Sequence, residues 1–311
     1  MYLLCPATRY NSDMSADSVA DVKREILVRH LEAWAPAALH RARRATYAHG
    51  YADTTAALAE AAARVFTEQS DLVRGRELTM VAVGTDLTDV DARLKALPAG
   101  AGLTVHTVPG STPERLGVAL RAAGAVRVPL LGFLDAGEPP GAAVLEALAT
   151  GKPAEALIVL PPSTPVPAMR TALREAGFPL AAAVELAASD DPGEILMYAT
   201  TLGKSLEAFK DLLWAVDEYA GVRYRDPGDP ERHLLDISLT PHPGPLRREL
   251  LARLAEAGEA TVTELRTYAL TETVYRAADA TRVLHTLLDA GAVTRRPEQG
   301  RLGGDVVIAP A

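Results

Sequence analysis

The sequence predicts an α/β protein: a doubly wound, mostly parallel sheet followed by a smaller helical domain that ends in a hairpin. Short runs that are apolar almost throughout, such as 78–84 and 156–160, recur along the chain. Strands apolar on both sides belong to a parallel sheet covered on both faces. Between those runs lie stretches with apolar residues at helical spacing, so strand and helix alternate over residues 20–215. The texture then changes at 223–232, where Asp226, Pro227, Gly228, Asp229 and Pro230 have the composition of a connecting loop. The expected organisation is an arm over 1–19, the α/β domain over 20–222, a linker over 223–240 and a last domain over 241–311.

Each element has its own signal. Residues 1–18 are polar and weakly patterned. From Ala20, the residues Val22, Ile26, Leu27, Leu31 and Trp34 recur at helical steps, and Pro36 predicts a kink or an end. The first strand is 45–50, closing on Gly50, and 54–66 is an alanine-rich helix. The unit repeats as strand 78–84, helix 90–97, strand 103–108 and helix 113–123, with Ser111 and Thr112 as capping candidates. Strand 128–134 runs into Asp135 and precedes helix 142–149, and Pro161 and Pro162 close strand 156–160. Helix 166–176 and strands 180–186 and 195–201 complete the series. In the last domain, helix 246–257 is stopped by Gly258. Thr261 and Glu264 have the capping-box spacing that opens a second helix. A third helix is expected over 271–290, stopped by Gly291, before a hairpin of 292–296 and 306–308 around a glycine-rich turn. Three helices and a two-stranded wing describe a winged helix.

Composition narrows the function. The 311 residues are 48% hydrophobic and 23% charged, the balance of a globular chain rather than a disordered one. No apolar run approaches the roughly 18–20 residues that span a bilayer. The start, Met1-Tyr2-Leu3-Leu4-Cys5-Pro6, lacks the basic leader and apolar core of a signal peptide. A cytoplasmic protein without membrane association is expected. A single cysteine excludes a disulfide framework, and the histidines show no ligand spacing, so no metal is expected. A net charge of −8 argues against a surface that embraces nucleic acid. No Gly-x-Ser-x-Gly elbow is present, and in Gly203-Lys204-Ser205 the first glycine of a P-loop is replaced by Tyr198.

In an open α/β sheet, ligands sit outside the carboxyl ends of the strands, at the point where the strand order reverses. The turn after the first strand, His49-Gly50-Tyr51-Ala52-Asp53-Thr54-Thr55, holds one glycine where a nucleotide loop has two or three. An ordinary β–α turn is the simpler reading of it. After the second strand, Val83-Gly84-Thr85-Asp86 offers Asp86 to ribose hydroxyls or as a cap for the next helix. Asp135 is the best-placed carboxylate, suited to orient an amine, a hydroxyl or a cofactor edge, or to start the turn that follows. Over 240–311, nine Arg and no Lys stand against nine Asp plus Glu. Arg295, Arg296 and Arg301 on the wing are the candidates for phosphate contact, but a neutral domain favours packing against its own chain or a partner over DNA.

These residues also resemble a family. The helix with Val22-Lys23-Arg24-Glu25-Ile26-Leu27, Leu31 and Trp34 is followed by Tyr47-Ala48-His49-Gly50-Tyr51-Ala52-Asp53. This is similar to the start of the three-Cys-motif partner (TcmP) family, in which a Lys-x-x-x-Leu-x-x-Tyr-Leu-x-x-Trp helix precedes a Tyr-Ile-Asp-Gly-Phe-Ala-Gly-x-Gly loop. Phe133-Leu134-Asp135-Ala136-Gly137 resembles its Phe-Ile-Asp-Pro-Phe-Gly element, and Leu206 through Trp214 resembles its Leu-Glu-x-Met-Lys-Asp-x-x-Trp signature. Glu272-Thr273-Val274-Tyr275, Leu284, Leu287 and Gly291 resemble its C-terminal winged helix.

The resemblance implies a class I, Rossmann-like methyltransferase fold dependent on S-adenosylmethionine (SAM), with an appended winged helix. It places the loop residues Tyr47, Gly50 and Asp53 at the cofactor and Asp135 in the catalytic position, beside Asp86 as the ribose candidate that the sheet rule supplies. It also implies a radical-SAM-like three-Cys-motif protein as partner. The carry-over departs from the pattern at the loop: His49 stands for the family's Asp, and Asp53 and Thr55 for its two later glycines. The acid expected after the second strand falls near Gly84. The function expected from this is a divergent member, a pseudoenzyme degenerate in cofactor binding, acting as a binding or assembly partner of another protein or of a second copy. The alternatives are an active SAM-dependent methyltransferase on a small molecule and a winged-helix DNA-binding regulator.

Overall fold

The computed structural model describes residues 6–69, 75–98, 102–216 and 221–311, with side chains from residue 17 onward. The elements run α1 (Pro6–Arg41), β1 (Arg44–Gly50), α2 (Ala56–Glu68), β2 (Glu77–Gly84), α3 (Thr88–Ala96), β3 (Leu103–Pro109) and α4 (Thr112–Ala122). They continue with β4 (Leu130–Asp135), α5 (Ala142–Ala149), β5 (Ala154–Leu160), α6 (Val166–Ala176), β6 (Leu180–Ala187), β7 (Glu194–Thr200) and α7 (Gly203–Leu213). Short strands β8 (Arg223–Arg225) and β9 (Leu234–Leu235) lead to α8 (Gly244–Ala257), β10 (Ala260–Thr261), α9 (Val262–Glu272), α10 (Ala277–Asp289), β11 (Val293–Arg296) and β12 (Val307–Pro310).

The large sheet has nine strands in the order β3-β2-β1-β4-β5-β7-β6-β8-β9. The pairs from β3 to β5 are parallel, and β7 runs antiparallel to both β5 and β6. This is an α/β architecture with a large, mostly parallel sheet. Side chains alternate across each strand, so Leu157 and Val159 enter the core under α1, α2 and α7, whereas Ile158 and Leu160 enter the core under α4, α5 and α6. Both faces are covered, which is why the strands read as continuous apolar runs.

Three expectations need correction. Helix α1 already begins at Pro6, where an arm was expected. Proline suits the first helical position, and no glycine or proline interrupts residues 7–35. Pro36 does not end the helix, which continues to Arg41. The linker is not a free connection either, because β8 pairs with β6 and β9 with β8. Buried Arg225 makes an ion pair with Glu185, which Arg232 also meets at 3.1 Å, so this segment is bound to the sheet edge. Residues 1–5, with Cys5, lie outside the described residues.

The third correction concerns the expected helix over 271–290. Helix α9 stops at Glu272, and α10 starts only at Ala277. Between them, side chains of the sheet domain take the backbone groups that a helix would use. The Lys210 ammonium donates to Thr273 O, Val274 N donates to Asp226 Oδ2 at 2.8 Å, and Trp214 Nε1 donates to Val274 O at 3.2 Å. Tyr275 stacks on Trp214 and donates its hydroxyl to His242 O at 2.7 Å. Leu250, Leu284 and Trp214 belong to one continuous apolar core. The C-terminal unit, with its antiparallel sheet β10-β12-β11, is therefore fixed on the main sheet.

Burial lowers Lys210 to about 7. Glu249 is raised to about 8, by burial first and then by Asp226 and Asp229. A carboxyl group that titrates higher when folded takes up a proton on folding. The stability contributed by Glu249 is thus complete below its unfolded value of 4.5 and is lost as pH rises toward 8. Glu249→Gln is expected to flatten this decline and to be more stable than the parent at about pH 7, but not at about pH 5, as read from urea midpoints.

Candidate functional site

The strand order reverses between β1 and β4, where Gly50 lies beside Leu134, so the crevice expected to hold a ligand opens at the carboxyl ends of these strands. Four segments border it: the β1–α2 loop, the turn after β2, the β3–α4 turn and the end of β4. The first of these is fastened to all the others. Tyr51 N donates to Thr112 Oγ1 at 2.8 Å, and Ala52 N donates to Val83 O at 2.9 Å. The Asp53 carboxylate accepts from the Thr85 hydroxyl and, at 3.3 Å, from Thr85 N. Thr54 Oγ1 donates to Asp135 O at 3.4 Å. The loop turns through Tyr51, whose φ of 55° is left-handed, a region L-residues other than glycine rarely enter.

Two glycines permit this closure. A Cβ on Gly84 would lie 2.8 Å from both the backbone nitrogen and Oδ1 of Asp53. A Cβ on Gly50 would lie 2.6 Å from Leu134 Cδ2 and 2.8 Å from Thr112 Cγ2. The space each glycine leaves is taken by the protein's own atoms.

Beneath the loop, a chain of hydrogen bonds assigns the tautomer of His49. The Thr55 hydroxyl donates to Tyr51 O at 3.0 Å, so His49 Nε2 donates to Thr55 Oγ1 at 2.7 Å. Nδ1 then accepts from the Tyr47 hydroxyl at 2.8 Å. Burial lowers His49 to about 3, so the ring is neutral, as this chain requires. Above the crevice, Lys23 of α1 lies 3.2 Å from Asp135 Oδ2 and 2.8 Å from Glu194 Oε2. Burial disfavours the ammonium, but Asp135 and Glu194 outweigh it and raise the pKa of Lys23.

The candidate residues are thus partly brought together. Gly50, Asp53 and Asp135 meet at the crevice. Tyr47 is fully buried against Phe66 and His49 below it. Asp86 is exposed at the start of α3, where the Thr88 side chain and then Thr88 N, which donates to it at 3.0 Å, lower its pKa. The residues that close the site, Thr112, Thr85, Lys23 and His49, were not among the candidates. Thr112 carries a signal, a hydroxyl directly after the third strand, where the sequence by itself predicts a cap. Neither Ser111 nor Thr112 makes a side-chain cap bond on α4.

On the C-terminal hairpin, Arg295 donates to the carbonyls of Pro297, Gly300 and Arg301 of its own turn. Arg296 pairs with Glu259 at 2.6 Å, and Arg301 is exposed. One His/carboxylate group with metal-like spacing is present among the described residues: Asp229, Glu231 and His233. Arg248 lies 3.2 Å from both His233 Nε2 and Glu231 Oε2, so a cation of the protein already serves this group.

No known protein family matches the chain, and no curated protein matches it. Among solved structures it is similar to a proposed SAM-dependent methyltransferase from Streptococcus mutans, with 13% identity and a TM-score of 0.33. That likeness covers 50% of this chain, which spans 44% of the other. No helix among the described residues is long and apolar enough to cross a membrane.

The closed loop has a direct consequence. Gly84→Ala is expected to destabilise the protein by about 1–3 kcal/mol, because its methyl would meet the Asp53 backbone rather than a yielding side-chain tip. Urea unfolding measures the loss, and a cost below about 0.5 kcal/mol would show that the loop does not dock on β2.

Proposed function

We propose that this chain is a methyltransferase-fold protein, degenerate at its cofactor crevice, with its C-terminal unit a winged helix, and that it acts as a binding or assembly partner rather than a methyl-transfer enzyme. The observation that carries this reading is the docking of the β1–α2 loop onto the end of β2 through Ala52, Asp53 and Thr85.

SAM in such a crevice needs backbone amides turned toward it, and glycines that let it approach them. In this chain the amides of Tyr51, Ala52 and Thr85 have protein acceptors. The spaces beside Gly50 and Gly84 are filled by Leu134, Thr112 and Asp53. A carboxylate at Asp53 would also face the carboxylate of the ligand. These residues do not fit SAM. Asp135, the catalytic candidate, is engaged by Lys23.

The C-terminal unit supports the same reading. Its order of helix, short strand, two helices and hairpin supports reading it as a winged helix. The hairpin arginines Arg295 and Arg296 are bound within the unit, which favours a structural use over DNA contact. The partner class implied by the resemblance is a radical-SAM-like protein.

Calorimetric titration with SAM and S-adenosylhomocysteine is expected to give no binding heat up to millimolar ligand. One-site binding at micromolar affinity would overturn the reading and restore the enzyme.

A further inference from the structure

The large sheet ends differently on its two sides. On one, β9 is two residues long, and Glu231, Arg232 and Asp236 lie close to it in the chain. On the other, β3 presents seven residues, Leu-Thr-Val-His-Thr-Val-Pro, with no Lys, Arg, Asp or Glu. Proteins guard an open edge with charge, brevity, a bulge or a covering element. Among the described residues, β3 pairs only with β2, and Thr104, Val105 and His106 are exposed, Val105 by 37%.

The ladder with β2 determines which main-chain groups face outward. Leu78 N donates to Gly102 O at 3.1 Å, and Gly110 N donates to Gly84 O at 2.8 Å. Bonding residues alternate along a parallel strand. The even-numbered residues of β3 therefore bond to β2, and the N–H and C=O groups of Leu103, Val105 and Thr107 point away from the sheet. The next outward position is Pro109, which has no N–H to offer. Thr104 and His106 share a face with Thr79 and Val81, the face on which α4 exposes Val118 by 55%.

We propose that this chain forms a two-fold homodimer by antiparallel pairing of β3 with β3 of a second copy, centred on Val105. In that register the outward residues meet as hydrogen-bonded pairs, Val105 with its symmetry mate and Leu103 with Thr107, and Thr104 lies opposite His106. The strand is self-complementary: β-branched and apolar residues face each other, and no ionised side chain is opposed by its own copy. That matters for a chain with net charge −8, whose copies carry the same net charge and repel. Symmetric pairing also closes on itself, since it uses the β3 edge of both copies. The proposal rests on the sheet edge and not on the crevice, so it stands or falls independently of the cofactor reading.

Sedimentation velocity of the full chain in the micromolar range is expected to give the mass of two copies. Val105→Pro removes an outward N–H and leaves the bonds to β2 intact, so it is expected to weaken association at least about tenfold with unchanged circular dichroism. Thr107→Lys, which places a charge on the edge without restricting the backbone, is expected to do the same and covers the case in which the proline variant misfolds. In a Cys5→Ser background, Val105→Cys is expected to cross-link as a dimer under mild oxidation. A hydrogen-bonded antiparallel pair sets its Cα atoms about 5.5 Å apart, within the roughly 4.4–6.8 Å that a disulfide bridges. A wild-type chain that sediments as a monomer throughout would overturn the proposal and leave the edge to an extended peptide of another protein. So would a dimer that persists in Thr107→Lys and fails to cross-link through Val105→Cys.

Discussion

The peptide group between Thr273 and Val274 is clamped by two opposite charges, its carbonyl by the Lys210 ammonium and its N–H by the Asp226 carboxylate. Both side chains are almost fully buried, at 1% and 5% exposure. Burying an unpaired charge is strongly unfavourable. Each of these charges is tolerated because it faces one end of the same peptide dipole, with Gly228 N adding a donor to Asp226 at 2.8 Å. The clamp interrupts what local sequence would continue as one helix, and so orients α9 and α10 on the main sheet. It also gives a physical meaning to Lys210 and Trp214: they lie on α7 and its C-cap, where they hold the C-terminal unit.

The same accounting of polar groups separates a ligand crevice from a closed one. A nucleotide loop leaves amides unsatisfied until a ligand arrives. Here the loop after β1 satisfies its amides through Thr112 and Val83, and it keeps Tyr51 in a left-handed conformation that costs about 1–2 kcal/mol. The bonds from Tyr51 O to Thr54 and Thr55, and the buried relay from Tyr47 through His49 to Thr55, offset that cost. A histidine at position 49 is coherent with this: a neutral imidazole can accept and donate along a chain, whereas a carboxylate only accepts.

The sheet was legible because its two-sided burial writes itself into continuous apolar runs, and every predicted strand of the α/β series is found within about two residues of its place. What was not legible depends on partners distant in sequence. Nothing near Thr273 announces a break, since the groups that cause it lie at 210, 214 and 226. Thr112 sits where a cap belongs, and only the fold shows its hydroxyl turned into the crevice against Tyr51. Tyr47 and Asp86 followed from motif position alone, and each proves to serve its neighbourhood: one lies under the loop, the other at the start of α3. Asp135 was correctly placed at the end of its strand, but its pairing with Lys23 required knowing that α1 passes over the carboxyl end of the sheet.

The β1–α2 loop, docked on its neighbours, directs attention also to the surface, where charge is a strong constraint. Ionised side chains are spread over the exterior, including paired ones such as Arg93 with Asp89 and Glu60. Such surfaces resist close approach, because each ion must shed water to be buried. An uncharged strand with free main-chain groups differs in kind, since its donors and acceptors recover in a partner the bonds they give up to water. Leaving β3 bare has a cost in the isolated chain, an edge open to unwanted pairing, and the sheet avoids that cost at β9 by shortening and charging the segment around it. The contrast between the two edges of one sheet is the feature that a purely internal role for the protein does not account for.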